Sequence, residues 1–67
     1  MQEKMKWMNP NVEQPSTPDT VVVLCANLRG DGQYFTAYWQ DGRWYFIAKS
    51  PDFEVSEIIA WCALPPI

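Results

Sequence analysis

Two aromatic-rich runs, QYFTAYWQ at 33–40 and RWYFIAK at 43–49, are separated only by Asp41 and Gly42. No other feature constrains the fold of this chain as much. Asp-Gly favours a type I′ turn, with positive φ at both central residues and a twist that matches two antiparallel strands. A two-residue connection also sets the register: Trp39 opposite Trp44, Ala37 opposite Phe46, and Phe35 opposite Ala48. Side chains alternate across a strand. Phe35, Ala37, Trp39, Trp44, Phe46 and Ala48 therefore share one apolar face, expected to be core. Tyr34, Thr36, Tyr38, Gln40, Arg43, Tyr45, Ile47 and Lys49 share the other, which is amphipathic and carries all three tyrosines of the chain.

A hairpin alone is marginal in water, so further strands must share its core. The stretch Thr20 to Leu28 contains Val21, Val22, Val23 and Leu24. Such a run is apolar on both faces and suits a strand covered on both sides. Arg29-Gly30-Asp31-Gly32 reads as a turn with two glycines available for positive φ. Upstream, Met5 to Met8 is a short apolar stretch ended by Asn9-Pro10, and residues 1–4 form a loose polar end. Residues 9–19 form a proline-containing loop, since Pro15 and Pro18 fix φ and push the preceding residue to extended geometry.

The segment after the hairpin reads two ways. Ser50, Pro51, Asp52 and Glu54 form a helix-start signal, and a helix could run toward Ala60. Ile58 to Cys62 reads instead as a strand, ended by Pro65-Pro66. The favoured reading is a turn or one short helical turn within 51–56, followed by a strand at 57–63. The expectation is one all-β domain spanning 1–67. It has five short antiparallel strands in a twisted sheet or SH3-like barrel, which leaves few exposed edges.

Composition narrows the function. The chain has 67 residues, with five Lys+Arg, eight Asp+Glu and no His. A chain this short buries only about 60% of its unfolded surface, so few side chains are spare for a catalytic cleft. Cys25, Cys62, Ser16, Ser50 and Ser56 have no histidine to activate them. Gly30-Asp31-Gly32 lacks the third glycine and the strand–helix setting of a phosphate loop. Two thiols without histidine do not make the four-ligand set of a zinc site. The expectation is no enzyme activity, no cofactor and no metal.

Cys25 and Cys62 lie in apolar runs and read as reduced, buried thiols; pairing would require Cα atoms within about 7 Å. The longest apolar run, Val21 to Ala26, falls far short of the roughly 20 residues of a membrane span. No apolar segment follows the N-terminus to act as a signal peptide, so a cytoplasmic address is expected.

Three surface features are candidate sites. Tyr34, Tyr38 and Tyr45, with Gln40 and Arg43, form a candidate partner-binding face. Tyrosine offers large area, a polar tip and a low entropy cost, and with Arg it is enriched at the centre of protein interfaces. The bland alternative is that these rings cover a second layer of the same domain, such as an N-terminal arm carrying Trp7. Stacking of single-stranded bases on the rings is a further alternative, opposed by the net charge of −3. A duplex reader would cluster its cations, whereas Lys4, Lys6, Arg29, Arg43 and Lys49 are scattered.

The second feature is an acidic patch of Asp52, Glu54 and Glu57. Paired-carboxylate chemistry would need a raised pKa and a cleft. A solvated acidic rim is the simpler reading, and a patch aimed at a basic host surface lies between them. The third feature is Trp7, Trp44 and Trp61, each in an apolar run and expected in the core.

The order of segments Lys6-Trp7-Met8, Pro15, Val21-Val22-Val23-Leu24, Ala37-Tyr38-Trp39, Gly42-Arg43-Trp44 and Ala60-Trp61-Cys62-Ala63-Leu64-Pro65 covers nearly the whole chain. That order resembles a phage and prophage family known as domain of unknown function five-five-one. Two positions depart from it: Ala60 stands where the family usually shows His, and Ala63 where it often shows Pro. The resemblance implies a small phage-encoded accessory protein in the cytoplasm of a bacterial host, with no activity assigned. Combined with the tyrosine face, it implies a module that binds a host or phage protein, with inhibition of a host enzyme or defence complex as the consequence. A homodimeric structural protein and a single-stranded nucleic-acid-binding barrel are the alternatives.

Overall fold

The computed structural model describes residues 6–64. The expectations for residues 1–4, Met5 and Pro65-Pro66 lie outside that range. Among the described residues there is no helix, and four strands form a single antiparallel sheet. They are β1 (Val21–Ala26), β2 (Gly32–Gln40), β3 (Arg43–Ala48) and β4 (Glu57–Ala63), in the spatial order β3-β2-β1-β4.

The hairpin turn forms where the Asp-Gly pair places it. Asp41 has φ 55° and Gly42 has φ 77°, the positive pair that a type I′ turn requires. Trp39 faces Trp44, Tyr38 faces Tyr45, and Ala37 faces Phe46. Beyond that point a bulge shifts the register, and Ala48 pairs with Thr36 rather than Phe35. The extra residue on β3 is Ile47. A bulge of this kind turns the strand and sharpens its twist, and here it moves Ala48 out of the core to an exposed position.

The link from β1 to β2 is braced by one side chain. Asn27 Oδ1 accepts hydrogen bonds from the backbone N–H of Arg29 (3.0 Å) and of Asp31 (2.9 Å). Gly30 N–H donates to Asn27 O at 3.0 Å, with Gly30 at φ 88°. Of the two candidate glycines only Gly30 uses positive φ; Gly32 opens β2. A second bulge lies between Leu24 and Cys25, so that Ala60 faces Leu24, Ile58 faces Cys25, and Ile59 is extra.

Among the described residues a fifth strand and a closed barrel do not form. Of the described N-terminal residues only Met8 bridges to the sheet, through Met8 N–H to Trp61 O (2.8 Å) and Trp61 N–H to Met8 O (3.0 Å). Pro10 has no N–H with which to extend that ladder. Met8 also occupies the outer edge of β4, where β3 would have to pair to close a barrel, and the sheet stays open. The short helical turn allowed for 51–56 is a plain turn, with Phe53 N–H donating to Ser50 O at 3.2 Å. Lys49 Nζ pins it from outside by donating to Ser50 O (3.1 Å) and Phe53 O (2.6 Å). The segment then inserts Phe53 into the core, with Val55 packed at its margin.

One face of the sheet is closed. Val21, Val23, Cys25, Phe35, Ala37 and Trp61 pack there with Phe53 from the loop above. Phe35 meets Phe53 at 5.4 Å and Phe46 at 6.0 Å, both edge-on, the arrangement aromatic quadrupoles favour. Trp61 is 6% exposed, and its Nε1–H donates to Glu13 O at 2.8 Å. That bond ties the 9–19 loop onto the closed face.

Burial pushes the Cys25 thiol up to about 11, against a smaller opposing pull from the Lys49 charge. Both cysteines are free and buried. Cys62 sits opposite Val22 and Cys25 opposite Ile58, so the ladder holds the two thiols apart.

Candidate functional site

The other face of the sheet is open. Val22 and Leu24 on β1 are only half-buried, while Val21, Val23 and Cys25 are buried. The run expected to be covered on both sides is therefore sealed on one. Alternation along β2 and β3 then places Tyr34, Thr36, Tyr38, Gln40, Arg43 and Tyr45 on the open side.

All five predicted partner-binding residues fall on this side, in two groups. Tyr38 and Tyr45 are direct cross-strand partners, with rings stacked at 5.2 Å and 18° between planes. Gln40 faces Arg43 one pair nearer the turn, and both are exposed. Tyr34 lies four residues up β2 from Tyr38, about 13 Å away at the usual strand rise, and is 60% exposed. Thr36 stands between the groups.

Trp7 corrects the core assignment. It is 40% exposed, and its ring lies 5.7 Å from that of Tyr34. Met8 pairs with Trp61 and packs against the core, so alternation turns the preceding Trp7 to the opposite face. The N-terminal arm thus reaches one end of the tyrosine face, as the two-layer alternative expects for Tyr34. The Tyr38–Tyr45 end has no such cover among the described residues. Trp44 is half-buried at the core margin, so of the three expected core tryptophans only Trp61 is fully enclosed.

Val22, Leu24, Ala26, Ala60 and Cys62 also belong to this face, through alternation along β1 and their pairing with Thr36, Tyr34 and each other; Ala26 and Cys62 are buried there, so the exposed part of the face is its hairpin side. They were not identifiable in sequence, because an unbroken apolar run carries no alternation to sort its two sides.

The acidic residues border two clefts. Asp52 and Glu54 line a cleft of about 200 Å³ with Asn27, Leu28 and Arg29. Glu57 lines a different cleft, of about 380 Å³, with Pro10, Asn11, Trp39, Trp44 and Ile58. Arg29, in the first cleft, pairs with Asp31 at 3.7 Å, and both are highly exposed; such a pair contributes about 0–1 kcal/mol.

Among the described residues no group of three or more His, Cys, Asp or Glu is placed to hold a metal ion. Among the same residues no helix is long and apolar enough to cross a membrane. Comparison with family models, curated proteins and solved structures finds no match for this chain. The phage-family resemblance rests on the residues quoted for it.

Proposed function

We propose that this chain is a small protein-binding module, working in a bacterial cytoplasm as a phage or prophage accessory protein. It engages its partner through the Tyr38–Tyr45 end of the open sheet face. The observation that carries this reading is the contrast in cover. The closed face takes the loop at 49–56 and the arm at 8–13, while a stacked tyrosine pair, Gln40 and Arg43 stand uncovered beside it. Rings held rigidly by each other lose little entropy on binding, and their hydroxyls accept partners without reorganisation.

The partner's chemistry follows from the same residues. Between Tyr34 and Tyr45 on this face the one charged side chain is Arg43. A second copy would bring another cation and no carboxylate to meet it. A different protein, offering a flat apolar patch with an acid at its rim, fits better. A host enzyme or defence complex inhibited by this contact suits the phage resemblance.

The test is capture from host lysate by the wild-type chain and by a Tyr38→Ala/Tyr45→Ala double variant of verified fold. Loss of a specific captured protein in the variant supports the reading, and unchanged capture removes it. Sizing at micromolar concentration gives the self-association outcome. Tight binding of short single-stranded oligonucleotides at low salt would replace the protein partner with nucleic acid.

A further inference from the structure

The closed side of the hairpin carries a cleft that the tyrosine face does not use. Trp39 and Trp44 are cross-strand partners with ring centroids 5.2 Å apart and 67° between planes. Both are half-buried, and both line the cleft. Trp44 is braced by Trp61, 6.4 Å away. Pro10, Asn11, Glu57 and Ile58 complete a shallow cleft of about 380 Å³.

The lining selects by charge. Among these residues the one ionisable group is an acid, Glu57. The one ion pair among the described residues is Arg29–Asp31, so Glu57 has no cation beside it there. Two indole faces attract cations through their quadrupole and offer nothing to anions. An ordinary ammonium would leave a tight hydration shell that ring walls do not replace. A quaternary ammonium wears methyl groups, is weakly hydrated, and spreads its charge over a surface that suits ring faces.

We infer that the Trp39–Trp44 cleft binds a quaternary ammonium group of the choline type, held by the two indole faces and by the charge of Glu57. The site lies on the opposite side of the hairpin from the tyrosines and stands independently of the protein-binding reading.

The experiment titrates choline into the full chain, followed by tryptophan fluorescence and by the indole signals of Trp39 and Trp44 in NMR. The neutral tert-butyl isostere of choline has the same shape without the charge. Choline is expected to bind at least about tenfold more tightly than the isostere, within the range of cation–π contacts. Glu57→Gln, at an exposed position outside the core, is expected to weaken choline binding about threefold or more and to reduce its salt dependence. Trp39→Leu is expected to abolish binding. Should that variant fail to fold, the isostere and Glu57→Gln decide.

Equal affinity for choline and isostere, an unaffected Glu57→Gln variant, or no indole shift at millimolar choline overturns the assignment. A trimethyl-lysine peptide in a parallel arm identifies the source of the group. Tighter binding than choline assigns it to a protein side chain, and weaker binding to a free small molecule.

Discussion

The two faces of this sheet are built from the same strands and the same residue classes, yet one is sealed and the other is not. On the sealed side, Phe35 and Ala37 of β2 meet Val21 and Val23 of β1, and Phe53 and Trp61 complete the packing. On the open side, the alternate residues of those strands are Tyr34, Thr36 and Tyr38 with Val22 and Leu24. The difference lies less in hydrophobicity than in what the connecting segments can cover. The loop after β3 and the segment from Met8 to Glu13 fold to one side, held there by Lys49 on the Phe53 carbonyl and by Trp61 on the Glu13 carbonyl, while Trp7 reaches only the Tyr34 end of the other. The described residues supply one full covering layer and not two. The uncovered side is left with aromatics that end in hydroxyls.

The sharpest way to break the comparison is to truncate one tryptophan from each side. Trp61→Ala removes a buried ring, the Glu13 anchor and the brace under Trp44 together. The expected loss is about 3–5 kcal/mol, enough to unfold a domain with so small a margin. Trp7→Ala removes a ring that is already 40% exposed and is expected to cost about 1 kcal/mol or less. Urea denaturation of both variants measures the gap. Equal losses would mean that the open face is as much a part of the core as the closed one.

A smaller effect separates the faces by pH. Cys25 lies at the centre of the closed side, and burial holds its thiol up at about 11 against an ordinary 9.0. The unfolded chain therefore ionises this group first. Its contribution to stability is whole below pH 9 and declines as pH climbs from 9 toward 11. Cys25→Val leaves nothing to ionise at that position, so its stability is expected to fall less over that window than that of the wild type. Every other residue is the same in both chains, so the difference between the two curves isolates Cys25. Parallel curves would show that water reaches the thiol and that the closed face is not closed.

How much of this contrast is legible in the residues depends on the range of the forces involved. The hairpin is local: two positive-φ positions at Asp41-Gly42 fix four residues on each side, and the Tyr38–Tyr45 pair follows directly. The bulges at Thr36/Ala37 and Leu24/Cys25 arise from fitting strands distant in sequence to one twisted surface, and nothing in the neighbourhood of Ala48 or Ile59 announces them. Likewise Trp7 and Met8 look alike as apolar neighbours. Only the bridge from Met8 to Trp61 decides which of them turns inward. Trp39 reads as core by alternation and is placed correctly in register. Its half-open ring depends on Pro10, which arrives from a loop whose path the composition does not encode. The five-strand barrel fails for the same reason, since edge pairing between β3 and β4 is a long-range event that Met8 pre-empts.

The finest test of the open face leaves its packing untouched. Tyr45→Phe deletes one hydroxyl from a ring that is 39% exposed and stacked on Tyr38. Stacking and apolar area persist, and an exposed hydroxyl has water as its alternative partner, so stability is expected to stay within about 0.5 kcal/mol of wild type. Binding responds differently. In a dry interface the hydroxyl's counterpart on the partner would be left without a hydrogen bond, a penalty of about 1–3 kcal/mol, or roughly tenfold or more in affinity. A variant that folds as well as wild type but holds its partner that much less tightly would show that the hydroxyl tips, and not only the rings, make the open side a recognition surface. A variant unchanged in both respects would reduce that side to bare hydrophobic cover.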